Sequence, residues 1–102
     1  MKVYLIQNGE GKCKIGYTSK TVVGRIKNGV QTGSSSKVVP LYEYESSYAM
    51  RIETVMHNMF SCYNTSGEWF DLPTDVILGF RELAAKIERN LKTVESFKDF
   101  DF

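Results

Sequence analysis

Very little in this chain can cross-link. Its only cysteines are Cys13 and Cys62 and its only histidine is His57, too few for a disulfide framework and without the spacing of a zinc site. Reduced thiols are expected. Long apolar runs are missing too: none approaches the roughly 18–20 residues of a membrane-spanning helix. The apolar stretch of "MKVYLIQNGEG" meets a turn too soon for a signal peptide, so a cytoplasmic protein with no membrane partner is expected. Prolines number two, Pro40 and Pro73, and no linker or internal repeat divides the chain. Its 102 residues support one domain with one core.

Net charge is also nearly absent, at +1, but the charges are sorted. Residues 1–40 carry seven basic groups against Glu10 alone, whereas residues 41–102 carry six basic and eleven acidic groups. Such a chain can turn one positive face to phosphates and keep the other side solvated.

The pattern of apolar residues outlines the fold. "KVYLIQ" (2–7) and "KCKIGYT" (12–18) flank the turn "NGEG" and read as a β-hairpin. "SKTVVGRIKNG" (19–29) reads as a short helix capped by Ser19 or Thr21 and ended by Gly29, with Val22, Val23 and Ile26 inward. "QTGSSS" (31–36) is a polar loop. "KVVPLYEYES" (37–46) is a third strand whose Pro40 suits an edge or a bulge. Ile52, Val55, Met56, Met59 and Phe60 recur at helical spacing behind Ser46 or Ser47, which places Glu53 and His57 on the rim of that apolar face. "GEWFDL" (67–72) is a short extended segment. "PTDVILGFRELAAKIERNLKTV" (73–94) is one long helix led by Pro73 and Thr74, with Val76, Ile77, Phe80, Leu83, Ala84, Ile87 and Leu91 on its apolar face. Residues 95–102 form an acidic, aromatic tail. The fold expected is α/β of the α+β type: a mostly antiparallel sheet of three or four strands flanked by helices over residues 1–94.

"VYLI" (3–6), "KIG" (14–16), Arg25, Glu53 and "SGEWF" (66–70), in that order, together with the loop beginning "QTGS", resemble the GIY-YIG endonuclease superfamily. The likeness is to its small single-domain branch from phage and bacterial genomes, and it covers residues 2–72. The first motif keeps only its tyrosine, Tyr4, and Lys14 stands where the family name has tyrosine. The resemblance implies a metal-dependent endonuclease acting on DNA, or less readily on RNA, as a monomer or homodimer. It implies Tyr4 as general base, Lys14 as its electrostatic partner, Arg25 as phosphate clamp and Glu53 as ligand of one Mg²⁺ or Mn²⁺. Asn64 is the candidate for an asparagine that many members carry.

The chemistry asks for the same residue types. Hydrolysis of a phosphodiester needs a base, a cation on the phosphate and help for the leaving oxygen. A tyrosine accepts a proton only as phenolate, and a lysine 5–6 Å away would favour that charge by roughly 3 kcal/mol at an effective dielectric near 20. Tyr4 and Lys14 share a face of the hairpin only if its loop holds an odd number of residues. A guanidinium such as Arg25 grips phosphate bidentately. One carboxylate plus waters suits Mg²⁺, and His57, one turn beyond Glu53, can bond to it or to a metal-bound water. Glu68 is expected to pair across the site rather than to ligate metal. Gly16 would let a nucleic-acid backbone come close, with Tyr17, Lys20 and Lys37 as further contacts. Two rival functions fit the same residues: a catalytically inactive nucleic-acid-binding module of this fold, and a protein adaptor that uses the acidic tail.

Overall fold

The first turn sets the register of the site. The computed structural model describes residues 1–27 and 37–97, and in it β1 (Lys2–Gln7) pairs antiparallel with β2 (Cys13–Thr18) across a five-residue loop. The Asn8 carboxamide oxygen accepts from the amides of Glu10 and Lys12 at 2.9 and 3.0 Å, and Gly11 takes φ of 82°, the left-handed conformation that glycine adopts without steric cost. The odd loop length places Tyr4 opposite Gly16 and Ile6 opposite Lys14. Those four therefore project to one face, and Val3, Leu5, Cys13 and Ile15 to the other.

β3 (Val39–Glu45) pairs with the free side of β1. β4 (Asn64–Ser66) and β5 (Trp69–Phe70) form a hairpin that joins β2 through Cys13 and Phe70. The described residues thus make a five-stranded sheet in the order β3-β1-β2-β5-β4, antiparallel throughout. It has more strands than the three or four expected, because the exposed polar triplet Asn64–Ser66 shows no apolar alternation. Pro40 lies on the edge strand at a shift of register opposite Leu5 and Ile6, where its missing N–H breaks no interior ladder.

Helices cover both faces. On one, Val3, Leu5, Cys13 and Ile15 pack with Ala49, Ile52 and Met56 of α2 (Ala49–Met59) and with Phe80, Ala84 and Ile87 of α4 (Phe80–Phe97). Each large side chain buried there contributes about 1.5–3 kcal/mol. On the other, Tyr4 and Ile6 pack with Val22, Ile26 and Val38. Val22 belongs to α1 (Val22–Arg25), whose N-cap is Thr21, with the hydroxyl accepting from the Gly24 amide at 3.1 Å.

Several boundaries differ from the expectation. The single helix over 73–94 is broken into α3 (Thr74–Leu78) and α4, with Gly79 between them, and α4 runs on through Phe97 into the expected tail. Val23 and Met59 are exposed, and Ala49 takes the inward place on α2. No Ser46 or Ser47 side chain caps α2 itself; the Ser46 hydroxyl accepts from the Tyr48 amide one step upstream. Gly29, the loop 31–36 and residues 98–102 lie outside the described residues. Both cysteines are free, Cys13 buried and Cys62 exposed. No helix among the described residues is long and apolar enough to cross a membrane.

Candidate active site

β5 reaches β2 only at Cys13, so among the described residues Ile15–Thr18 has a strand on one side and an open edge on the other. α2 closes part of that edge. The His57 ring stands edge-on to Phe70 with centroids 5.3 Å apart, and its Nε2 donates to the Ile15 carbonyl at 2.7 Å. A carbonyl can only accept, so Nε2 carries the hydrogen, and in the neutral ring the lone pair lies on Nδ1. The bond ties α2 to β2 and brings Glu53, one turn back, to the same edge.

Tyr4 reaches it from the other face. Its ring is sunk in the smaller core and only 1% exposed, yet it lines a groove of about 750 Å³ beside Gly16. A methyl carbon at residue 16 would lie 2.3 Å from the Tyr4 Oη and 2.5 Å from Cζ. Gly16 therefore makes room for the tyrosine itself. Lys14, Arg25, Glu53 and His57 line the same groove, so all five residues expected to carry chemistry come together.

Lys14 shares the face of Tyr4 and stands diagonal to it, because the five-residue loop pairs Tyr4 with Gly16 and Ile6 with Lys14. The Lys14 ammonium donates to Glu68 Oε2 at 2.6 Å. Glu68 thus pairs across the site, and that bond holds its carboxyl below the usual carboxylate range, helped by the charges of Lys14, His57 and Arg25. Glu53 is shifted the other way. Burial raises its carboxyl and the negative charge of Glu68 adds to this, while His57, Lys14 and Arg25 oppose it. His57 Nε2 lies 3.8 Å from Glu53 Oε1, too far for a hydrogen bond. Two carboxylates with opposite shifts thus stand in one groove.

Of the expected nucleic-acid contacts, Gly16, Tyr17 and Lys20 line the groove, whereas Lys37 is exposed and stands outside its lining. Thr18, Ser19 and Thr21 belong to the lining and were missed. Their signal was their place in the run "YTSKT", where the strand ends at a mouth already marked by Tyr17 and Lys20. Asn64 has a different occupation: its Nδ2 donates to the carbonyls of Gly67 and Trp69 at 2.8 and 3.2 Å, folding the β4–β5 turn.

Among the described residues no three of His, Cys, Asp and Glu are grouped to hold a metal ion. The donor set fits a hard cation that keeps most of its water, held by the Glu53 carboxylate alone, and does not fit a closed protein cage.

Comparison with known families matches the chain to the T5orf172 domain over residues 1–91. That small domain occurs in phage and bacterial proteins and is associated with GIY-YIG-like, nuclease-type folds, while the GIY-YIG family model itself does not match. No curated protein and no solved structure matches the chain.

Proposed function

This chain belongs to the T5orf172 domain family, and from that premise we propose that it is a metal-dependent endonuclease of the GIY-YIG type, cutting DNA with Tyr4 as general base. The observation that carries the proposal is the convergence of Tyr4, Lys14, Arg25, Glu53 and His57, from four elements of the fold, on one groove at the open edge of β2. A phenol, an ammonium, a guanidinium and a carboxylate lining one groove meet the separate needs of phosphodiester hydrolysis.

In this reading Arg25, exposed at the end of α1, grips the non-bridging oxygens of the phosphate. The Tyr4 oxygen, fixed beside Gly16, takes the proton of the attacking water, and Lys14 supplies a cation to the same groove. Glu53 would hold Mg²⁺ or Mn²⁺, which when bound would supply charge stabilisation for phosphodiester hydrolysis. His57 holds α2 to β2 through the Ile15 carbonyl and so keeps Glu53 in reach. Its place in the mechanism is to position, since its donor hydrogen is already committed.

Supercoiled plasmid with Mn²⁺ or Mg²⁺ tests the proposal, with Glu53→Gln alongside the wild type. Nicking by the wild type and none by the variant is expected. Lys14→Met should lower the rate of nicking, because the groove loses a cation that stabilises charge on the phosphate. Nicking that survives Glu53→Gln would remove the site. Salt-sensitive binding without any cleavage would put an inactive nucleic-acid-binding module in its place.

A further inference from the structure

Lys14 and Glu68 are unequal partners. The lysine side chain is only 14% exposed and rises from the second residue of β2, while the Glu68 side chain is 67% exposed. Glu68 sits on the two-residue turn between β4 and β5, just after Gly67, which has φ of 57°. The lysine side chain is therefore largely enclosed, and the carboxylate stands mostly in water. An exposed carboxylate gives up such a bond cheaply, since water takes over its lone pairs.

Glu68 is engaged by the lysine ammonium. Glu53, His57 and Glu68 all line the groove, yet among the described residues they do not form a cluster that could hold an ion. Its hydrogen-bonded partner is the ammonium, and Arg25 adds to the same positive field. A carboxylate oxygen at 2.6 Å from that ammonium occupies the position a phosphate oxygen would take.

The geometry points to Glu68 as a displaceable counter-ion that holds the Lys14 ammonium until a phosphate of the nucleic acid replaces it. The assignment rests on the nucleic-acid reading of the groove and adds to it a residue that sets substrate affinity without touching the reacting atoms. Glu68 keeps the lysine aligned in the empty site and lowers affinity by the fraction of molecules in which the ammonium is already engaged. An exposed pair of this kind reduces affinity about fivefold.

Fluorescence anisotropy with a labelled oligonucleotide, in EDTA so that no cleavage occurs, measures this directly in the full chain. Glu68→Gln is expected to tighten binding about fivefold, and in cleavage assays to lower KM without raising kcat. In a Lys14→Met background the same change should have less than a twofold effect, because no ammonium remains to be released. Thermal melts of each variant separate this from altered folding. An unchanged or weaker affinity for Glu68→Gln, or an equal gain in both backgrounds, overturns the counter-ion role and leaves the nuclease reading intact. If wild type and Glu68→Gln both fail to bind the oligonucleotide, both readings fall.

Discussion

Gly16→Ala should damage this protein out of proportion to one methyl group. Gly16 does not have positive φ, so alanine meets no backbone penalty there. By chain entropy alone it should gain about 0.5–1 kcal/mol in a strand. The steric effect has the opposite sign and is larger. The added carbon would stand 2.3, 2.5 and 3.0 Å from the Oη, Cζ and Cε1 of Tyr4, and relaxed carbon contacts begin near 3.5 Å. The ring must retreat by about 1 Å, but it is hemmed in by Ile6, Val22, Ile26 and Val38. Overpacking of this kind costs about 1–3 kcal/mol, or a fall in Tm of about 4–8 °C for each of them in a domain this size. A base displaced by about 1 Å should also lose about 100-fold in rate.

A double-mutant cycle makes the argument strict. Tyr4→Leu removes the atoms that clash, so Gly16→Ala in that background should be neutral or slightly stabilising, while activity stays lost. Urea melts of the four proteins, read with plasmid nicking by the wild type and Gly16→Ala, supply every term. Equal stability costs of Gly16→Ala in both backgrounds would refute the steric account. Full cleavage by Gly16→Ala would refute the placement of the Tyr4 oxygen as base.

Glu53 sits where burial disfavours its charge, so its raised carboxyl favours folding in acid and that contribution is lost as pH rises through the folded value. Glu53→Gln should therefore be more stable than wild type at pH 7, by about 0.5–2 kcal/mol, with the gap closing in melts near pH 4. Glu88 behaves the opposite way: it accepts from the hydroxyls of Ser46 and Tyr44, and the Ser46 bond above all lowers its carboxyl. Its contribution is complete above the ordinary value near 4.5 and lost as pH falls through the lower folded value. Glu88→Gln should cost about 1.5–3 kcal/mol at pH 7 and progressively less in acid denaturation. A thiol reagent should label Cys62 at once and Cys13 only on unfolding, since Cys13 is buried and burial raises its thiol; rapid labelling of both would refute the strand pairing around Cys13.

Local signals made much of this legible in the sequence. The turn residues Asn8 and Gly11 bound the first hairpin, but the register was open in the sequence, and the start of β2 at Cys13 rather than Lys12 puts Tyr4 and Lys14 on one face. Helical spacing put Glu53 and His57 on the rim of α2, where both line the groove. Local signals also explain the errors. Val23 and Met59 fit an apolar stripe by spacing, but α1 is only four residues long and α2 is rotated so that Ala49, Ile52 and Met56 face the sheet. Gly79 falls inside an apolar period, and only packing decided that the chain would break there. The pairing of Lys14 with Glu68 joins residues 54 apart, and no periodicity reports such a partner.

The position of the groove follows from one local failure of pairing. Had β5 continued along β2, Ile15 and Tyr17 would have met a neighbouring strand, and α2 could not have reached the Ile15 carbonyl. Because β5 is two residues long and pairs with β2 at a single position, one stretch of β2 is left for other partners. His57 satisfies one carbonyl on that stretch, and Gly16 leaves the space above it that the Tyr4 ring fills. Polar groups gather there because a sheet edge is where backbone and side chains remain in reach of water. The same gap lets residues from opposite faces of the sheet, Tyr4 with one core and Glu53 with the other, meet at one opening. A fully paired β2 would be expected to make a more stable sheet, and it would separate those two groups by the thickness of a strand.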